Sequence, residues 1–174
     1  MPILIVEGSN KVGKSTLIEA IRQVCEYKGF PYYIMKRRVA KNDKSDVTPE
    51  QMYEVALEDL KEALLHEAKG ELVIFDRFHI SEFVYGYTYR NYFNTYMLKV
   101  NKILKCIGAK IIFVKSGYDH IENVEDRLKF ERIQEYFESF IEEFKEDCEI
   151  KETSIVTNES LYLKEKAEEI LKCL

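Results

Sequence analysis

The sequence has few of the residues that build metal centres, disulfide scaffolds or membrane spans. Its 174 residues include four cysteines that lie far apart without a C-x-x-C pair, and three histidines without metal-ligand spacing. This pattern argues against a zinc site and a disulfide framework, and it favours reduced thiols. No apolar run approaches the roughly 20 residues that span a bilayer. A strand starts at once, so we expect no signal peptide, a cytoplasmic location and no membrane partner.

The charge balance argues against a second class of partner. The net charge is −5, from 26 lysines and arginines against 31 acidic residues. Duplex DNA usually requires a basic face, so nucleic acid is not an expected partner. A small anionic ligand needs positive charge only where it binds, and it remains compatible with this composition.

Short apolar runs alternate with helical patterns along the whole chain, without repeats, low-complexity tracts or linkers. Residues 1–174 are therefore predicted to form a single domain. Apolar strands that alternate with helices predict a doubly wound α/β fold, with a parallel sheet of about five strands flanked by helices. The predicted strands are 3–6, 32–35, 72–75, 111–114 and a weaker 154–157. The predicted helices are 14–28, 49–69, 81–104, an amphipathic one that follows the polar segment 116–123 and has its apolar positions at 133–144, and 161–174.

The most informative motif lies between the first strand and the first helix. Residues 8–15 read G-x-x-x-x-G-K-S, the pattern of a phosphate-binding loop. Its glycines let backbone N–H groups surround an anion, and the helix N-terminus adds partial positive charge. Lys14 would reach the β- and γ-phosphates of ATP, and Ser15 would hold Mg²⁺. The predicted nucleotide-binding residues are Gly8, Ser9, Asn10, Lys11, Val12, Gly13, Lys14, Ser15 and Thr16.

A second motif follows the third predicted strand, which ends in Asp76, Arg77 and Phe78. An acid at the end of a central strand beside a phosphate loop is suited to organise Mg²⁺. The planar guanidinium of Arg77 is suited to hold a phosphate. The alternative interpretation is a solvated Asp–Arg pair at a strand end.

Together the two motifs resemble the thymidylate kinase family. Asp76-Arg77 is followed by an aromatic residue, by Ser81 five residues after the Asp, and by Tyr85 four residues later. Glu7-Gly8 and residues 13–16 match the family's loop frame. The resemblance implies a P-loop nucleoside-monophosphate kinase that uses ATP and Mg²⁺ and forms homodimers. It implies that Asn10 and Lys11 occupy the positions of an acceptor-binding Asp and a catalytic Arg.

The acceptor's base is left open, because the sequence departs from the family's pattern. Residues 49–69 contain no Arg that could bind a thymine edge, and Tyr53 is a loose match for the stacking aromatic. The acceptor could be dTMP, a modified pyrimidine or another deoxynucleotide. The predicted substrate-binding residues are Asn10, Arg37, Tyr53, Arg77, Phe78, Ser81 and Tyr85.

The basic residues 36–38 after the second strand favour a monophosphate acceptor. A monophosphate brings its own charged oxygen, so it needs cations rather than a general base. Two alternatives stay open: a kinase acting on a hydroxyl of a nucleoside or hydroxymethylated base, with Asp76 as the base, and a nucleotide-dependent switch without catalysis. Under the switch hypothesis, the motif at residues 76–85 would have no function.

Residues 116–132 are expected to form a lid at the mouth of the site. Such kinases close a mobile segment over the phosphates to exclude water. Arg127 or Arg132 would stabilise charge on the transferred phosphoryl group; the alternative is a solvated helix face with intrahelical ion pairs. The predicted catalytic residues are Lys14, Lys11, Asp76, Arg77, Arg127 and Arg132.

Overall fold

The computed structural model describes residues 2–36, 47–118, 121–156 and 159–174. Arg37, a predicted substrate residue, lies outside these ranges. Among the described residues are five strands and six helices. In chain order they are β1 (Ile3–Glu7), α1 (Lys14–Lys28), β2 (Tyr32–Lys36), α2 (Pro49–Glu67), β3 (Leu72–Asp76), α3 (His79–Arg90), α4 (Tyr96–Cys106), β4 (Lys110–Lys115), α5 (Val124–Lys145), β5 (Ile150–Ser154) and α6 (Ser160–Lys172).

The five strands form one parallel sheet in the order β2-β3-β1-β4-β5. The predicted doubly wound α/β fold is thereby confirmed. In the register, Asp76 at the end of β3 lies opposite Val6 on one side and Lys36 on the other. Because all strands run in the same direction, the segments that follow β1, β3 and β4 emerge at one edge of the sheet, where ligands of such folds bind.

Helices cover both faces of the sheet, which explains why β1, β3 and β4 are almost entirely apolar. One hydrophobic cluster joins the sheet to α2, α3, α4 and α5, with Phe75, Phe113 and Phe137 at its centre. The other joins the sheet to α1 and α6 through residues such as Leu17 and Ala167. Of the helices that the structure describes, none is both long and apolar enough to cross a membrane.

Two predicted elements differ from the structure. The helical region 81–104 is two helices, because Asn91 takes the left-handed conformation (φ 54°) and ends α3 after Arg90. The last strand lies at residues 150–154 instead of 154–157. The apolar pair that suggested the later position belongs to the loop beyond it: Ile155 packs against the phosphate-loop backbone at Gly13, and the side chain of Val156 is exposed.

Candidate phosphate-binding site

The glycine-rich loop leaves β1 at Glu7 and returns to α1 at Lys14, with a backbone that requires glycine. Gly8 has a φ of 139°, and a Cβ there would lie 2.4 Å from the carbonyl oxygen of Val114 in the neighbouring strand β4. Gly13 has a φ of 91° and lies against Ile155. A side chain at Gly8 would therefore force the loop away from the sheet, so the loop's close curvature depends on this residue.

Lys14 is 5% exposed, and its ammonium group donates a hydrogen bond to the carbonyl oxygen of Ser9 within the same loop. Burial, and to a lesser extent the nearby positive charge of Arg77, lower its pKa to about 7 against the opposing effects of Asp76 and Glu7. The loop therefore holds a buried cation beside a second cation. An anion between them would relieve this repulsion.

Arg77 connects the two sequence motifs in space. Its backbone adopts the left-handed conformation (φ 68°), and its amide N–H donates to the carbonyl oxygen of Val6 at 3.0 Å. The guanidinium group donates to the side-chain oxygen of Asn10 in the glycine-rich loop. It also lies 5.3 Å from the ring centroid of Tyr85. Asn10, Arg77 and Tyr85, all predicted to bind the substrate, are thus brought together.

Glu7 is a residue whose role the sequence analysis missed. Its carboxylate is fully buried and accepts hydrogen bonds from the backbone N–H groups of Phe78 (2.9 Å), Ile80 (3.1 Å) and Ser81 (3.3 Å). It also accepts one from the Ser81 hydroxyl. The acid at the end of β1 thereby satisfies the N-terminal amides of α3. The available signal was an acidic residue that directly continues a buried apolar strand.

The hydroxyl group of Ser81 is therefore committed to Glu7, and the residue is fully buried. Phe78 is also buried, tilted against Phe75 at 4.4 Å between ring centroids. Tyr53 is half-buried and stacks on Tyr96 at 5.1 Å. Substrate contacts by Ser81, Phe78 and Tyr53 stay predictions.

The predicted metal ligands are Ser15, exposed in the first turn of α1, and Asp76, half-buried at the end of β3. A hydroxyl and a carboxylate supply the hard oxygen atoms that Mg²⁺ prefers. Asp76 lies opposite Val6 in the sheet register, which places it beside the end of β1 from which the loop leaves. These residues fit a magnesium ion chemically, and their role as its ligands stays a prediction.

The predicted lid segment touches the glycine-rich loop through Tyr118, a second residue that the sequence analysis missed. The Tyr118 and Ser9 hydroxyl groups hydrogen-bond each other, and both residues are buried. Burial raises the pKa of Tyr118, and its ring stacks on Phe130 at 5.9 Å between centroids. The sequence offered no local signal for this contact, because it depends on β4 being the neighbour of β1 in the sheet.

The predicted lid arginines lie on α5. Arg127 is half-buried in the first turn of that helix. Arg132 is exposed, and its Nε–H donates to the Tyr136 hydroxyl at 3.0 Å within the same helix. Lys11 is exposed at the tip of the glycine-rich loop with a φ of 65°. The catalytic roles of these three cations stay predictions.

Comparison with known proteins adds to this geometry at the level of the fold. No protein-family model matches the chain, and no curated protein sequence matches it either. Among solved structures, the chain is similar to the YorR protein from Bacillus subtilis, determined in complex with phosphorylated GDP, with a TM-score of 0.63. The two share 18% identity over 98% of this chain and 94% of YorR. At this identity the similarity establishes the fold alone, a parallel α/β fold.

Proposed function

We propose that this chain is a kinase that transfers the γ-phosphoryl group of ATP to the 5′-phosphate of a deoxynucleoside monophosphate, giving the diphosphate. The observation that carries the proposal is the position of Arg77. Its guanidinium group is held by Asn10 of the glycine-rich loop and by the ring of Tyr85, next to buried Lys14. A planar donor fixed beside a phosphate cradle is suited to align a second phosphate with the first.

On the donor side, the backbone of residues 8–15 surrounds the β- and γ-phosphates, and Lys14 turns from the Ser9 carbonyl oxygen toward them. Ser15 and Asp76 would hold Mg²⁺, which would neutralise charge on the phosphate oxygens. Lys14 then stays protonated because the phosphates supply the negative charge that its buried position lacks.

On the acceptor side, Arg77 binds the 5′-phosphate through its planar fork, and Lys11 screens the repulsion between the two phosphate groups. The left-handed backbone of Arg77 directs its side chain toward the loop, and the Glu7 carboxylate fixes the residues that follow it. Catalysis is then a matter of alignment and charge stabilisation, without a covalent intermediate.

The carboxylates of the site also favour a monophosphate over a hydroxyl acceptor. A hydroxyl acceptor needs a general base, whereas a phosphate monoester has a second pKa of about 6 and is its own nucleophile at pH 7. The Glu7 carboxylate is occupied by backbone amides and by Ser81. A base role would therefore fall on Asp76, which the proposal gives to the metal. The thymidylate kinase-like signature makes dTMP or a related pyrimidine nucleotide the first acceptor to test. Guanine nucleotides are the second, because the structure of YorR contains phosphorylated GDP.

The experiment is a screen of nucleosides and nucleoside monophosphates with ATP and Mg²⁺, read by anion-exchange chromatography. We expect a nucleoside diphosphate from at least one monophosphate. Lys14→Met should lower turnover by about 10³-fold, because a charge-stabilising donor is lost. Lys28→Met is the matched control, since Lys28 lies at the far end of α1 and pairs with Glu168 at 3.9 Å. Conversion of a nucleoside to a monophosphate would support the hydroxyl acceptor, and no product from any acceptor would contradict the proposal.

A further inference from the structure

An open cleft of about 470 Å³ lies between the end of α3 and the N-terminal part of α5. Three tyrosines, Tyr87, Tyr89 and Tyr136, and two cations, Lys129 and Arg132, form most of its wall. None of the described residues that line it is acidic. Its volume lies within the roughly 300–1,000 Å³ of small-molecule sites.

The two cations of the cleft, Lys129 and Arg132, each lie over the ring of a neighbouring tyrosine. The Lys129 ammonium lies 6.0 Å from the ring centroid of Tyr89, and the Arg132 guanidinium lies 5.7 Å from that of Tyr136. Neither cation forms an ion pair within the part of the chain that the structure describes. Aromatic faces stack on a nucleobase, and Lys or Arg N–H groups donate to its carbonyl oxygens and ring nitrogens.

A run of ring contacts links this cleft to the phosphate-binding site. Tyr89, whose side chain is 46% exposed, stacks on Tyr85 with centroids 5.7 Å apart and planes 9° from parallel. The ring of Tyr85 in turn lies 5.3 Å from the guanidinium group of Arg77. The cavity on the other side of Phe78, toward α2, measures about 10 Å³, which leaves no room for a base. The α3–α5 cleft is therefore the roomier place for a base whose phosphate sits on Arg77.

We propose that the base of the acceptor nucleotide binds in this cleft, stacked on Tyr89, with Lys129 and Arg132 donating to its carbonyl oxygens. Arg132 then binds the base, and the charge-stabilising role predicted for Arg127 or Arg132 falls to Arg127. This inference rests on the proposed kinase function and names its substrate class. Thymine and uracil each carry two carbonyl oxygens and no amino group, and guanine carries O6 beside the acceptor N7, so these three bases are preferred. Adenine carries no carbonyl oxygen, and cytosine carries only one together with an amino group, toward which the cleft offers no carboxylate.

The test compares acceptor kinetics for dTMP, dUMP and dGMP with those for dCMP and dAMP. We expect the first group to have kcat/KM values at least about tenfold higher. Tyr89→Ala should raise the acceptor KM by about tenfold, the effect of losing one base-stacking ring, with the ATP KM unchanged. Tyr89→Phe should restore it, and Lys129→Ala with Arg132→Ala should flatten the base preference.

Tyr27→Ala is the matched control. Tyr27 is a highly exposed tyrosine on α1 that also carries a lysine, with the Lys164 ammonium 5.0 Å from its ring centroid. Its removal should leave both KM values unchanged. An acceptor KM for Tyr89→Ala within about twofold of wild type would overturn the cleft proposal while the kinase function stood.

The cleft proposal can also be tested if the proposed kinase function fails. If the wild-type protein phosphorylates no monophosphate, the proposed function is lost, and the cleft is tested by calorimetric titration with dTMP alone. Binding that Tyr89→Ala abolishes and Tyr89→Phe keeps would support the cleft. No binding to the wild-type protein, or equal binding to Tyr89→Ala, would overturn it.

Discussion

At the scale of single residues, the site depends on a buried acid that directly precedes the glycine-rich loop and accepts hydrogen bonds from the start of α3. Glu7 joins the end of β1 to the start of α3 through hydrogen bonds to Phe78, Ile80 and Ser81. Those residues directly follow Arg77, so the Glu7 carboxylate holds the backbone from which the guanidinium extends. We infer that Glu7 positions the acceptor-binding arginine.

Glu7→Gln tests this role. The variant removes the buried negative charge that accepts four hydrogen bonds. We expect the free energy of unfolding to fall by about 2 kcal/mol, the usual value for hydrogen bonds to a charged group. We also expect a higher KM for the acceptor and an unchanged KM for ATP. Urea unfolding and steady-state kinetics measure the two effects. Ser81→Ala, which removes one donor, is the milder control; an acceptor KM untouched by Glu7→Gln would limit Glu7 to a structural role.

His79 gives stability a defined dependence on pH. It is fully buried, its Nε2–H donates to the Asn101 side-chain oxygen at 2.9 Å, and burial lowers its pKa to about 4. In the unfolded chain its pKa is about 6.5. As the pH falls below that value, the unfolded state binds a proton that the folded state rejects until about pH 4. Stability from this residue is therefore complete above about pH 6.5 and is lost toward pH 4.

We expect this residue alone to make the protein about 2 kcal/mol less stable at pH 5 than at pH 7. Urea unfolding at both pH values, for wild type and His79→Gln, isolates its contribution. In the variant the difference between the two pH values should shrink by that amount. An unchanged difference would mean that His79 is protonated in the folded protein at pH 5.

At the scale of helices and strands, local chemical signals predicted the starts of helices better than the breaks between them. Helix α1 has the predicted bounds, from Lys14 to Lys28, and ends at Gly29 in the left-handed conformation. Helix α2 begins at the predicted Thr48-Pro49, with a capping box between Thr48 and Gln51. The break between α3 and α4 was missed because Asn91 is a weaker stop signal than glycine or proline.

Thr48→Ala should lower the free energy of unfolding by about 1 kcal/mol, because the Thr48 hydroxyl accepts the Gln51 amide N–H at the start of α2. Chemical denaturation monitored by circular dichroism measures the change. Ser139→Ala is the control, since this exposed hydroxyl lies inside α5 and donates to the Glu135 carbonyl oxygen. A loss at Thr48 no larger than that at Ser139 would show that the cap contributes nothing.

At the scale of the whole molecule, the sheet order assembles the site from distant parts of the sequence. The sequence motifs placed residues 8–15 and 76–85 at strand ends, and the parallel sheet brings them together. The contact of Ser9 with Tyr118 joins residues 109 positions apart, and it exists because β4 lies next to β1. Neither this contact nor the α3–α5 cleft has a local pattern, because each depends on how two elements pack. The homodimer that the family resemblance implies stays a prediction.

The central claim is that two phosphates meet between the glycine-rich loop and Arg77. The most direct measurement is ³¹P nuclear magnetic resonance of the reaction of the protein with ATP, Mg²⁺ and dTMP or dGMP, followed over time for wild type and Arg77→Ala. The account predicts the coupled signals of a deoxynucleoside diphosphate beside those of ADP, and their near absence in the variant. A new uncoupled phosphomonoester signal, or equal diphosphate formation by Arg77→Ala, would contradict it.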